Sequence, residues 1–307
     1  MTVHHLDPEP GTTIDYFSRA SAPVLTVDPG DTVVVRSLDA SGYLERLQTP
    51  GEVRPTMFTE PRGHCLTGPI AVRGAEPGMV LALRLEFLQP QSWGWTVANA
   101  RDNALNRRLG LTDLPPSWLL WEIDAEAGTA TDQSAHQVRT APFLGVMGVA
   151  PAEPGEHSTI PPRAIGGGNI DCRSLVAGST LYLPINAPGA LLSLGDGHAR
   201  QGDGEVCGTA IECAMTTTAV LELMTDPVIP GIHAETPSGR ITFGFDADLN
   251  EAMAQALDAM IGWMQVLYGV DKVTALALAS PCVDLRVTQV ANEVWGVHAL
   301  LPTGAIS

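Results

Sequence analysis

Lysine is almost absent. The 17 Lys and Arg residues of this 307-residue chain include a single lysine, Lys272, set beside a predicted helix N-cap at Asp271. Hydrolytic designs that rest on a lysine, Ser-Ser-Lys and Glu-Lys-Cys among them, are disfavoured before any motif is weighed. Cationic surface is scarce too, because 34 Asp and Glu leave a formal net charge of −17. Nucleic acid and anionic membranes are therefore not expected partners. No stretch approaches the roughly 18 unbroken apolar residues of a membrane span. The opening MTVHHLDPEP carries no basic stretch followed by an apolar run, so no secretion signal is expected. The five cysteines form no C-x-x-C pair, and an odd, dispersed set reads as free thiols of a reducing cytoplasm rather than as a disulfide framework.

What the chain has in quantity is turn residues, with 31 Gly and 24 Pro. The first two thirds read as strands and turns. APVLTVDPGDTVVVRSLDA (22–40), GPIAVRGAEPGMVLALRLEFL (68–88) and STLYLPINAPGALLSLGDG (179–197) each place a Pro-Gly turn between two apolar runs. In the second, Leu81, Leu83, Leu85 and Phe87 alternate with Ala82, Arg84 and Glu86, which predicts one buried face. GTAIECAMTTTAVLELM (208–224) reads as one long strand. Residues 89–140 hold four of the six Trp and read as an excursion with a short helix, suited to a lid or a subunit contact. After about residue 226, RITFGF predicts a strand. Leu249, Met253, Leu257, Met260, Ile261, Met264 and Leu267 then recur at helical spacing, with Gly269 ending the helix. This methionine stripe reads as core. A second helix from Asp271 to near Pro281 and two strands follow. The fold class is mainly β, a sandwich or barrel over 1–225, with a smaller α+β unit over 226–307.

Chemistry concentrates in two glycine-rich loops. RAIGGGNIDCRSL (163–175) offers Asn169, Asp171 and Cys172; GDGHARQGDGEVCGTAIE (195–212) offers Asp196, His198, Asp203, Glu205 and Glu212. Glycine lets backbone take φ > 0 and lets neighbouring polar groups converge. Asp196 and His198, two apart, share a face if the segment is a strand, and Asp, His and Glu together suit a divalent cation. Against this, GDG and QGDGE are also ordinary Asp-Gly turns with solvated acids, the reading that fits Asp203. His64, in EPRGHCLTGPI, is another candidate ligand just before a strand. Cys172 and Cys207 are candidate nucleophiles, though small residues flank both. Neither loop ends in the Gly-Lys-Ser/Thr of a phosphate-binding loop.

Three longer segments carry a resemblance. PRGHCLTGPIAVRGAEPGMVLALRL, APFLGVMGVAPAEPGEHSTIPPRAIGGGNIDCRSLVAGSTLYLPI and GALLSLGDGHARQGDGEVCGTAIE are similar to the acetamidase/formamidase family, as is SPCVDLRVTQVAN near the end. The resemblance leads one to expect Lys where Arg173 stands. It implies hydrolysis of small amides to ammonia and a short carboxylate, a divalent metal, zinc, and a homo-oligomer. The matching positions are Asp171, Asp196, His198, Glu205 and Glu212. On this basis Asp171, Asp196 and His198 are expected to hold the metal, with Glu212 as fourth ligand or as support behind the ligands. Glu205 is expected to act as base and then acid, and Asn169, or the backbone N–H groups of Gly167 and Gly168, to stabilise the oxyanion. Two other readings stand beside this one: a non-catalytic metal-binding β-sandwich, and a cysteine-dependent amide hydrolase.

Overall fold

Each of the three Pro-Gly turns carries the chain from one sheet to another. In the computed structural model, which describes residues 1–99 and 102–306, Leu25–Val27 pairs with Leu66–Val72 in one sheet while Thr32–Ser37 lies in the second. Leu66–Val72 and Val80–Pro90 are divided in the same way, as are Thr180–Pro184 and Leu192–His198. The turns are thus arches across a sandwich, not hairpins. Val33, Val35, Leu83 and Leu221 from one sheet share a single core with Ile70, Val72, Leu144 and Leu194 from the other. A mainly β fold of two large sheets, with helices near the C-terminus, is what the turn spacing predicted.

Two expected patterns shift in detail. The 208–224 run is two strands: Glu212–Cys213 belongs to one sheet and Met215–Met224 to the other, so the chain crosses the sandwich at Ala214. Phe87 is 50% exposed, whereas Leu88 is buried. Thr218 pairs with Phe87 but Ala219 pairs with Leu85, so Glu86 bulges out of the ladder, and one extra residue flips every side chain beyond it to the other face.

Residues 89–140 extend a sheet. Trp93–Ala98 pairs with Glu212–Cys213 on one side and Ser117–Asp124 on the other, and Thr129–Asp132 and Gln137–Arg139 continue the order outward. The short helix α1 is Ala104–Leu109, capped by Asn103. From residue 226 onward, His233–Thr236, Gly239–Asp246, Trp295–Pro302 and Asp284–Gln289 continue the second sheet beyond Thr180–Pro184. Two helices, α2 (Leu249–Tyr268) and α3 (Lys272–Cys282), build a small separate core over its outer strands.

The face of α2 is rotated from the expected stripe. Met260, Ile261 and Met264 are buried, but so are Ala252 and Ala256, while Leu267 is exposed. The alanines let the helix sit against Gly244, where an added Cβ would come within 2.7 Å of the Ala256 backbone N. Asp271 caps α3 by accepting from the N–H groups of Val273 and Thr274, both at 2.9 Å. Among the described residues no helix is long and apolar enough to cross a membrane.

Candidate active site

The Leu192–His198 strand is buried along its whole length and lies at a fork. On one edge it pairs with Phe143–Gly148 throughout. On the other, Leu66–Val72 accompanies it as far as Gly195, and Glu212–Cys213 takes over at Gly197. Asp196 is the residue at the change of partner, with φ +57. Phe143–Gly148 also pairs with Gly167–Asn169, placing Asn169 and Gly195 on either side of Val146. Both glycine-rich loops therefore meet because they flank one common strand.

Gly145 forms the floor of the site. An added Cβ would strike Asp196 Oδ2 and would lie 2.6 Å from Asp171 Oδ1 and 2.9 Å from His198 Cε1. Its carbonyl accepts from the N–H groups of Ile170 at 2.9 Å and Asp171 at 3.2 Å, which fixes the turn that aims Asp171. Gln201 Nε2 adds a bond to the Asp171 carbonyl at 2.8 Å. Asp171, Asp196 and Glu205 all have left-handed backbone, at φ +53, +57 and +43. For side chains other than glycine this conformation is costly and recurs at functional sites.

Asp171, Asp196, His198, Glu205 and Glu212 are between 1% and 7% exposed. His198 Nε2 lies 3.3 Å from Asp196 Oδ1 and 3.3 Å from Glu212 Oε2. Neither contact has hydrogen-bond alignment: both His198 nitrogens, both Asp171 oxygens and Glu212 Oε2 are buried without a partner. Ligand-capable atoms of Asp171, Asp196 and His198 lie within 4.8 Å of one another, as do those of His198, Glu205 and Glu212. Buried polar groups without partners are expensive, so groups that converge without bonding to each other fit a shared cation.

The charges agree. Burial pushes the Asp171 carboxyl well above the usual carboxylate range, helped by the charge of Asp196. Burial likewise raises Glu205, with the Asp171 charge adding to it. Glu212 is pushed up to about 7 by burial in spite of His198. Burial acts against charge on Asp196 and His198 too, but the charge of His198 wins in lowering Asp196, and the charges of Glu212 and then Asp196 win in raising His198. The cluster is short of positive charge and retains protons to limit repulsion.

The cluster opens into a cleft of about 480 Å³ lined also by His64, Asn169, Tyr43 and Trp95. His64 is held at the rim, its Nδ1 3.2 Å from Thr159 Oγ1, and lies outside both ligand groupings. Asn169 Nδ2 donates to the Ile160 carbonyl at 2.9 Å, leaving the acceptor Oδ1 unpartnered. Asp203 pairs with Arg173 at 2.9 Å and ties the two loops together outside the cluster. Cys172 is fully buried, and burial pushes its thiol up to about 12, too high for a thiolate nucleophile at neutral pH. Cys207, bonded to the Thr209 carbonyl at 3.2 Å, does not line the cleft. Gly145, Gln201 and the floor they make were not singled out in the sequence. The one signal was a pair of glycines inside the apolar run APFLGVMGVA, which marks close approach of another group.

A concave site with converging buried carboxylates of shifted pKa, set in a two-sheet β scaffold, marks the functional centre of the chain. The chain belongs to the Acetamidase/Formamidase family, which matches residues 16–157 and 152–237, and it is an amidase acting on the C–N bonds of linear amides. A candidate formamidase of Schizosaccharomyces pombe is 28% identical over 289 residues, covering 73% of this chain and 70% of that one. A formamidase of Methylophilus methylotrophus is 29% identical over 248 residues, 62% of this chain and 59% of its own length. The crystal structure of an acetamidase from Yersinia enterocolitica superposes with a TM-score of 0.86 at 27% identity, covering 99% of this chain and 93% of that one.

Proposed function

We propose that the chain hydrolyses small amides to ammonia and a carboxylate with a divalent cation, zinc, held by Asp171, Asp196 and His198. Glu212 is the fourth ligand or stands behind the others, and His64 is a further donor at the rim, close enough for its charge to act on Asp196. The observation that carries the reading is the set of buried, unpartnered donors gathered over Gly145. Imidazole and carboxylate together are the N and O ligands zinc takes. When bound, such a cation polarises an amide oxygen and makes water acidic enough to supply hydroxide near neutral pH. The five free thiols favour a reducing compartment, and the family resemblance favours a homo-oligomer.

The chain's own groups do the rest. Glu205 takes the proton from the attacking water as the C–O bond forms. It returns that proton to the nitrogen as the C–N bond breaks. We read Asn169 differently from the sequence expectation: its free atom is an acceptor, so it receives an N–H of the substrate amide and orients it. Ammonia release from formamide and acetamide, before and after chelation, tests the whole reading. His198→Ala should lose both bound metal and turnover. Glu205→Gln should keep the metal and lose roughly 10²–10⁴-fold in rate. Full activity in Glu205→Gln would remove Glu205 from its role, and chelation that lowers only the melting temperature would make the cation structural.

A further inference from the structure

We propose that the preferred substrates of this cleft are primary amides whose acyl group carries an aromatic ring, with Trp95 and Tyr43 as the surface that receives it. The inference rests on the hydrolase reading above and adds the substrate class. Its starting point is a row of side chains across one sheet. Phe143 pairs with His198, His198 with Glu212, and Glu212 with Trp95. Directly paired residues of an antiparallel ladder project to the same face and lie side by side. Phe143 and His198 do so with ring centroids 4.9 Å apart. Trp95 is therefore the immediate neighbour of Glu212 on the reacting side of the sheet.

This indole is fixed in place. It is 5% exposed, with Trp118 packed against it at 5.5 Å and Tyr43 edge-on at 6.1 Å. Tyr43 in turn sits on a turn made by Asp39, whose Oδ1 accepts from the Ser41 and Tyr43 N–H groups at 3.0 and 3.4 Å. Tyr43, Trp95, Pro61 and Ile160 give the cleft an apolar, aromatic lining beside the acidic cluster. An aromatic surface held rigid in this way gives an arriving ring a partner at little cost in side-chain entropy.

Size points the same way. The cleft is about 480 Å³, within the range that encloses a whole drug-sized molecule. Formamide or acetamide displaces roughly 60–90 Å³, the space of two or three waters, and would leave most of the cleft wet. A ring in that space excludes the water and supplies binding energy away from the reacting bond, which can be used in the transition state. Charge disfavours an anionic ring. The cluster repels anions, and Arg62, the one guanidinium among the described residues that line the cleft, is committed to Asp15 at 2.7 Å and Glu156 at 2.5 Å.

Phenylacetamide and acetamide test this cleanly, since one is the other with a phenyl group on its methyl. The zinc-loaded full chain should show kcat/KM at least ~10-fold higher for phenylacetamide. Trp95→Leu should cut that ratio at least fivefold, and Trp95→Phe should restore most of it. Acetamide turned over as well as phenylacetamide would overturn the inference and leave the hydrolase reading intact. A ratio unchanged in Trp95→Leu would overturn it as well. Turnover of neither amide would sink the hydrolase reading, and this one with it. Should Trp95→Leu fail to fold, the wild-type ratio and Tyr43→Leu decide.

Discussion

Gly145 matters through the atoms it lacks. A methyl group there would collide with Asp196 Oδ2 and stand 2.6 Å from Asp171 Oδ1, and the strand beneath cannot give way because it is laddered on both edges. Gly145→Ala should fold, with a lowered melting temperature, but should bind no zinc and lose turnover by more than ~100-fold. Metal analysis beside an ammonia assay would check this, and full metal content in the variant would refute it. At this scale Asp171, Asp196, His198, Glu205 and Glu212 were legible because acids and a histidine among glycines are conspicuous. Gly145 was not, since a glycine in an apolar strand announces close approach without naming the group that approaches. The left-handed backbone of three of the acids was hidden as well, because Asp and Glu carry no mark of it.

The elements that aim these residues were half legible. Pro-Gly turns located the strand ends, but a turn between two apolar runs looks the same whether it folds back as a hairpin or arches across a sandwich. The loop carrying Glu205 shows what was missed. Gly204, next to it, donates to the Thr288 carbonyl at 3.0 Å and accepts from Val290 N–H at 2.8 Å. This clamp is braced by fully buried Gln289, which donates to the Val294 carbonyl at 2.7 Å and accepts from Ala291 N–H at 2.8 Å. A segment near residue 290 thus holds a carboxylate at 205, a relation no local pattern records. Gln289→Leu leaves those backbone groups unpaired, at a cost of about 1–3 kcal/mol, and loosens Glu205. The expected result is a lower melting temperature, an undiminished zinc content and a kcat reduced ~10-fold. Wild-type kcat in a destabilised Gln289→Leu would show that the clamp serves stability alone.

For the whole molecule, periodicity predicted a β-rich body, yet which strands share a sheet could not be read. Leu66–Val72, Phe143–Gly148 and Leu192–His198 are buried on both faces, and a strand without a polar face carries no register signal. The fork at Asp196 follows from that pairing, and with it the concentration of buried acids that shapes stability against pH. Burial pushes Asp39 up to about 7, as it does Glu212. Below pH 4 both states of the protein hold these protons. As pH rises, the unfolded chain releases them first, so folding stability falls between about pH 4 and 7, by on the order of 4 kcal/mol from Asp39 and 3 kcal/mol from Glu212. His298 opposes this: burial pulls its pKa down to about 4. It therefore removes about 3 kcal/mol as pH falls from 6.5 to 4. The acids outweigh it, since Asp171 and Glu205 shift in the same direction as Asp39 and Glu212. In chelator the protein should melt at a lower temperature at pH 8 than at pH 5. Zinc, whose carboxylate and imidazole ligands must be free of protons, should then raise the melting temperature most at pH 8 and little at pH 5. Thermal melts at pH 5, 6.5 and 8, with chelator and then with zinc, measure both trends. A zinc shift that is the same at every pH would mean that the cation binds away from these carboxylates.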